Sequence, residues 1–243
     1  MKPFATIYDY HRFARVVATE RRFVLTPEQQ SFVQAVVDSS GTRVIELPRG
    51  KELWRAQIGC VFREVQVAPD DFTDVPEVFS RERMKPLRDR ANEGRANPRG
   101  IPHLYLAETS ETAVAESRPW VGAMLTVAPL TTNRCLRIVN CHVGSRAYTL
   151  YLREPTLQEK ERDNWREIDR AFSQPVVAAE NQASYAATQI LTEVFKAAKF
   201  DGIRYRSSLG GSANVVLFDL DAADVGVPQL LEVTAVNYQV KER

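Results

Sequence analysis

The chain has 243 residues, 44% hydrophobic and 26% charged, enough for one large globular domain, or a domain with an extension, around a real core. Its net charge of +1 excludes bulk electrostatic attraction to nucleic acid or to a membrane surface, so neither direct nucleic-acid binding nor membrane association is expected. No basic-then-apolar leader opens the sequence and no apolar run approaches the ~18 residues of a membrane span; with three cysteines (Cys60, Cys135, Cys141) and no CxxC pair, a reducing, cytoplasmic setting is expected.

Taken in chain order, residues 8–22 read as a short helix, with Tyr10, Phe13, Ala14 and Val17 at helical spacing. A second helix starts at Thr26-Pro27-Glu28-Gln29, where a hydroxyl cap, a proline at the first helical position and a glutamine form a capping box. Its apolar face is Phe32, Val33, Val36 and Val37, and Gly41 stops it. Too short to be stable alone in water, these two helices pack on the main domain, on each other across a homodimer, or on a partner. They form a helical extension, residues 1–42, before a main domain of residues 43–243, and supply no chemical group.

Two strands, "TRVIELP" and "KELWRAQIG", flank Pro48-Arg49-Gly50. A loop-rich stretch is expected from there to about Gly100. It holds Arg81, Arg83, Lys85, Arg88, Arg90, Arg95 and Arg99, which form either a solvated face or an anion-binding rim. "IPHLYLA" reads as a strand, "SETAVAES" as a short helix capped by Thr109 or Ser110, and "GAMLTVAPL" and "RCLRIVN" as strands. Residues 155–172 form a charged helix. "SYAATQILTEVFKAAK" forms an amphipathic one with Ile190, Leu191, Val194, Phe195 and Ala198 inward. "DGIRYRSS" and "ANVVLFDL" read as strands, and "LLEVTAVNYQV" as an alternating edge strand.

Strands and helices do not alternate strictly, so a mixed α+β fold is expected rather than a doubly wound parallel sheet. "SLGGSAN" has no lysine after its glycines and precedes a strand, so it is not a phosphate loop. His11, His103 and His142 show no zinc spacing with the cysteines, and no metal site is expected. The cysteines read as buried apolar fillers and His103 as a surface or packing residue. No nucleophile elbow supports a Ser-His-Asp triad.

Four stretches stand out together: "LWRAQ" with Arg55, "GRANPRGIPHLYLA" with Arg95 and Tyr105, "ETAVAES" with Glu116, and "DGIRYRSSLGGSANVVLF" with Ser207 and Ser208. In this order, over roughly residues 43–220, they resemble the RES-domain family, named for its arginine, glutamate and serine. The double serine leaves two candidates for the family's hydroxyl, with Ser207 favoured. Tyr185 and Gln189 fall in a Y-x-x-x-Q spacing that the family also tends to carry. The resemblance implies an α+β domain similar to the ADP-ribosyltransferases, with a mixed or antiparallel sheet core and flanking helices. It also implies a bacterial toxin that splits nicotinamide from NAD and is neutralised by a cognate antitoxin. NAD is then a substrate, and no cofactor is expected. Protein ADP-ribosyl transfer, or an inactive NAD-binding module, is the alternative.

The residue types suit that chemistry. Breaking the nicotinamide–ribose bond builds positive charge on the ribose, which a carboxylate such as Glu116 stabilises. A guanidinium fork matches a pyrophosphate, with Arg55 held on a core strand and Arg95 able to close from its loop. Tyr105 offers a flat face to the nicotinamide ring, and Ser207 can hydrogen-bond the ribose or orient Glu116. Each has a plainer alternative. Arg55 and Glu116 can form a buried ion pair, Tyr105 can be a core aromatic, and Arg95 can bind backbone carbonyls. Ser207 can be a turn hydroxyl, and Tyr185 and Gln189 can serve helix packing.

Overall fold

A computed structural model describes residues 2–144, 149–174 and 182–237. The N-terminal segment forms α1 (Asp9–Thr19) and α2 (Pro27–Ser40), followed by β1 (Val44–Leu47) and β2 (Glu52–Ile58). The expected cap of α2 is present: Thr26 accepts from the backbone of Gln29, whose side chain reaches back to the Thr26 N–H at 2.8 Å. Next come β3 (Val61–Ala68), β4 (Asp71–Glu77), β5 (Leu104–Ala107), α3 (Ser110–Glu116), β6 (Met124–Thr132) and β7 (Leu136–Asn140). The chain continues with α4 (Leu157–Ser173), α5 (Ala186–Ala197), β8 (Gly202–Arg206), β9 (Ala213–Leu217), β10 (Ala223–Val225) and β11 (Gln229–Glu232).

The main sheet runs β1-β7-β8-β9-β5-β2-β6-β10, with β11 also on β6. Every pair in it is antiparallel except β7 with β8. With the five α-helices among the described residues, this is the expected α+β class. Alternation along the central strands sorts side chains to two faces. Val139, Ile203 and Val216 join one apolar cluster, while Ile138, Val215 and Leu217 join another.

The first cluster contains Phe4, Tyr10, Phe13, Val17, Phe32 and Val36 from the N-terminal segment, packed with Trp165, Phe172 and Phe195 of α4 and α5. Polar ties fix the same contact: Asn164 accepts from the Tyr10 N–H at 2.8 Å and donates to the Thr6 carbonyl at 2.7 Å. Of the placements open to α1 and α2, packing on the main domain is the one observed.

Three expectations need correction. Residues 61–77 form a separate two-stranded hairpin rather than loop, turning at Asp70, whose φ is 65°. Both of its faces are largely exposed, so no core-facing stripe announces it. The C-terminal edge strand is only four residues long; residues 233–237 are irregular, and the end of the expected strand lies outside the described residues. Cys141 is buried as expected and Cys60 half-buried, but Cys135 is exposed.

Candidate active site

The sheet is weakest between β5 and β2, which share the single residue pair Trp54↔Ala107. Arg55, one residue beyond that pair, reaches across and donates from Nη1 to the Tyr105 carbonyl at 3.3 Å. A cavity of about 350 Å³ opens there, walled by Trp54, Arg55, Tyr105, Glu116, Tyr205 and Asn214 among others. Antiparallel register supplies the arrangement: Tyr205 pairs with Asn214, Asn214 with Ala107, and Ala107 with Trp54. One row across four strands therefore points its side chains to one face.

Glu116 is the last residue of α3, a helix set by the Thr109 cap. The following residue, Ser117, ties the helix end to β2 by donating to the Ala56 carbonyl at 3.3 Å. Glu116 is exposed, but its partners Ser207 and Asn214 are buried. Its Oε1 accepts from Ser207 Oγ at 2.6 Å and from Asn214 Nδ2 at 2.7 Å. Among the described residues Oε2 has no hydrogen bond, so one carboxylate oxygen is anchored and the other is open.

Ser207 has no freedom to turn away. Its Oγ accepts from the N–H groups of Leu209 at 3.1 Å and Gly210 at 2.8 Å, which leaves its own hydrogen for Glu116. It is thus both a turn hydroxyl and a partner of the carboxylate. The turn rests on α3: a Cβ at Gly210 would meet Thr112 Oγ1 at 2.5 Å. Close packing is what Gly210 of "SLGGSAN" allows there. Ser208 is exposed and is not part of the cavity wall.

Tyr105 is positioned by the "GRAN" loop. Its hydroxyl donates to Asn97 Oδ1 at 2.7 Å and accepts from the Ala96 N–H at 2.9 Å. A Cβ at Gly94 would lie 2.5 Å from that hydroxyl, so the glycine is needed for the loop to close on the ring. Burial pushes the phenol far above its usual range, and it stays a neutral hydrogen-bonding group.

Arg95 turns the other way, donating to the carbonyls of Phe172 and Gln174 at the end of α4. Gln189, buried on α5, donates to the carbonyls of Gly94 at 3.0 Å and Asn97 at 3.1 Å and to Glu93 Oε1 at 2.9 Å. Tyr185 sits at the start of α5, half-buried. None of Arg95, Gln189 and Tyr185 walls the cavity; Arg95 and Gln189 brace the loop that holds Tyr105.

Arg55 and Glu116 form no ion pair among the described residues. The Arg55 Nε is buried without a hydrogen-bond partner. Desolvation lowers its pKa to about 10, so at neutral pH it is still a cation, with no carboxylate paired to it. A second cavity, about 330 Å³, adjoins the first through Arg55 and Tyr105 and is walled also by Arg83, Lys85, Arg90 and His103. Some of the basic run thus forms a cavity wall rather than only a solvated face. A larger cavity, about 770 Å³, lies between α1 and α2, but Asp9 and Glu20 in its wall are already engaged, the former by the Thr6 turn and the latter by Arg15.

Asn214, Trp54 and Tyr205 also wall the cavity; all three lie within the stretches singled out from the sequence, which assigns them no role. The strand motif "ANVVLF" contained Asn214, and its polar side chain on an otherwise apolar central strand was the available signal.

The molecule is thus an α+β domain whose cavity wall holds Arg55 and Glu116, with Ser207 bonded to the carboxylate from behind. Residues 72–240 match the RES domain profile, most of the chain, and the protein belongs to the RES-domain family. Arg55 lies ahead of the matched segment. Among solved structures, the chain is similar to the M. tuberculosis MbcT–MbcA toxin–antitoxin complex at 14% identity and a TM-score of 0.40, covering 82% of this chain and 92% of that one. No curated protein sequence matches significantly. Among the described residues no helix is long and apolar enough to cross a membrane.

Proposed function

We propose that this protein is an NAD-degrading enzyme that cleaves the nicotinamide–ribose bond, with water or phosphate as the acceptor, and that it is the toxin of a toxin–antitoxin pair. One observation carries the reading: a carboxylate at the mouth of a cavity, anchored through one oxygen by Ser207 and Asn214, with its other oxygen open. As the bond to the pyridinium nitrogen lengthens, the electron pair leaves with neutral nicotinamide and positive charge grows on the ribose. A fixed anion beside that carbon stabilises the charge without reorganising, which is where such groups act most strongly. Arg55, charged and without a carboxylate partner among the described residues, binds the pyrophosphate, and the Tyr105 and Trp54 rings offer apolar faces to the nicotinamide. Membership of the RES-domain family supports the toxin role and the existence of a cognate antitoxin. The extension, residues 1–42, supplies core rather than chemistry.

The test is incubation of purified protein with NAD, followed by chromatography. Free nicotinamide with ADP-ribose means hydrolysis, and nicotinamide with ADP-ribose 1″-phosphate means phosphorolysis. ADP-ribose attached to protein, read by mass spectrometry, means transfer instead. Intact NAD after prolonged incubation contradicts the proposal.

A further inference from the structure

The second cavity is cationic, and its wall includes no carboxylate. Four of its side chains, Arg55, Arg83, Lys85 and Arg90, are bases. The segment bearing the last three is built onto the fold rather than loose. Met84 is fully buried against Phe79 and Ala128, and Gln57 on β2 donates to the Arg83 carbonyl at 3.0 Å. The Arg83 guanidinium lies 4.2 Å over the Phe79 ring, which fixes its head without neutralising it. Among the described residues Lys85 and Arg90 pair with exposed acids, Asp221 at 3.6 Å and Asp89 at 3.4 Å, and such pairs are weak.

His103 adds an independent observation. It is 3% exposed, and its Nδ1 lies 2.9 Å from the Ala96 carbonyl. A carbonyl only accepts, so Nδ1 carries the hydrogen and Nε2 presents a lone pair. That Nε2 is buried without a partner. The cavity therefore combines bases suited to phosphate oxygens with a buried acceptor suited to a hydroxyl or amino hydrogen. A phosphorylated sugar has both.

The charge count narrows the ligand. A dinucleotide pyrophosphate brings about two negative charges and is met by Arg55 in the first cavity; Arg83, together with Lys85 and Arg90, which share their charge with the exposed Asp221 and Asp89, remains for a phosphate monoester, which adds about −1.5 to −2 at neutral pH. We infer that the cavity is a subsite for a third phosphate, so that the substrate class is a dinucleotide bearing a phosphomonoester on its adenosine ribose, as in NADP, in preference to NAD. This rests on the reading of the Glu116 cavity given above, because the two cavities share Arg55 and Tyr105. The phosphomonoester stays intact and serves only in recognition.

The experiment compares kcat/KM for NADP and NAD in phosphate-free buffer, with wild type and with Arg83→Ala and Arg90→Ala. The expected result is a preference for NADP of tenfold or more, falling at least tenfold in either variant. Equal or better use of NAD by wild type, or an unchanged ratio in both folded variants, overturns the inference while leaving the cleavage reading intact. Should neither dinucleotide be cleaved either in phosphate-free buffer or with inorganic phosphate added as acceptor, the cleavage reading fails, and calorimetry still decides the subsite. Tighter binding of 2′-phospho-ADP-ribose than of ADP-ribose supports it, and equal binding overturns it. A third arm adds inorganic phosphate. Competition against NADP but not against NAD supports the subsite. Acceleration of NAD cleavage that depends on Arg83 assigns the cavity to free phosphate and overturns the inference.

Discussion

Replacing Arg55 with methionine should move stability and ligand binding in opposite directions. The methionine keeps most of the side-chain stem and removes the buried cation. Desolvation takes the Arg55 pKa from 12.5 to about 10, which corresponds to about 3 kcal/mol against the folded state at most, and about 1–2 kcal/mol after allowing for its partial exposure. At pH 7 the group is protonated in both states, so the whole penalty applies; it is relieved only as pH rises through 10 towards 12.5. The variant also loses the 3.3 Å hydrogen bond to the Tyr105 carbonyl, at a cost of about 0.5–1.5 kcal/mol. The net expectation is a change between about 0.5 kcal/mol of destabilisation and about 1.5 kcal/mol of stabilisation, centred on a small gain. NAD binding, by contrast, should weaken by ~2 kcal/mol, roughly 30-fold, through loss of charge-assisted contacts to the pyrophosphate. Urea denaturation gives the first quantity and calorimetry the second. Destabilisation by 2 kcal/mol or more with unchanged affinity would refute the reasoning and make Arg55 a structural tie.

Three further outcomes are expected. Burial lowers the His103 pKa from 6.5 to about 4, so its contribution to stability is complete above pH 6.5 and is lost as pH falls towards 4, by at most about 3 kcal/mol. His103→Asn should flatten that part of the profile, and an unchanged difference in urea midpoint between pH 7 and pH 4.5 would contradict it. Arg95→Ala should lower stability by about 1.5–3 kcal/mol through its lost carbonyl contacts while kcat/KM for NAD changes less than about threefold; a larger kinetic loss in a folded variant would place Arg95 over the ligand. Phe13→Ala should destabilise the whole domain by about 3–5 kcal/mol in a single cooperative transition, whereas a small effect on the main transition would make the N-terminal helices a separate unit.

Much of the fold was legible because local chemistry agreed with the final packing. The Thr26 capping box, the apolar spacing in α1 and α5, and the Thr109 cap of α3 all specify their elements without tertiary help. The β3–β4 hairpin was not legible, because both faces meet solvent and Glu64 lies directly opposite Asp74, an arrangement no core demands. Glu116, Ser207, Arg55 and Tyr105 could be singled out because their residue types carry chemistry and their order is distinctive. That Arg95 and Gln189 brace the loop follows only from three-dimensional contacts, since a guanidinium on a glycine-rich loop reads the same whether it binds a phosphate or a helix end. The role of Asn214 is not legible in "ANVVLF", because an asparagine there gains meaning only once register aligns it with Ala107 and brings it to Glu116.

The central claim is that the Glu116 carboxylate stabilises the departing ribose, and Glu116→Gln tests it most directly. Glutamine retains an oxygen to accept from Ser207 and Asn214 and loses only the charge, so the cavity should keep its shape. Nicotinamide release from NAD, followed by chromatography for both proteins, should be slower in the variant by at least about 100-fold, with calorimetric NAD affinity within a few-fold of wild type. Equal rates of nicotinamide release from the two proteins would contradict the account.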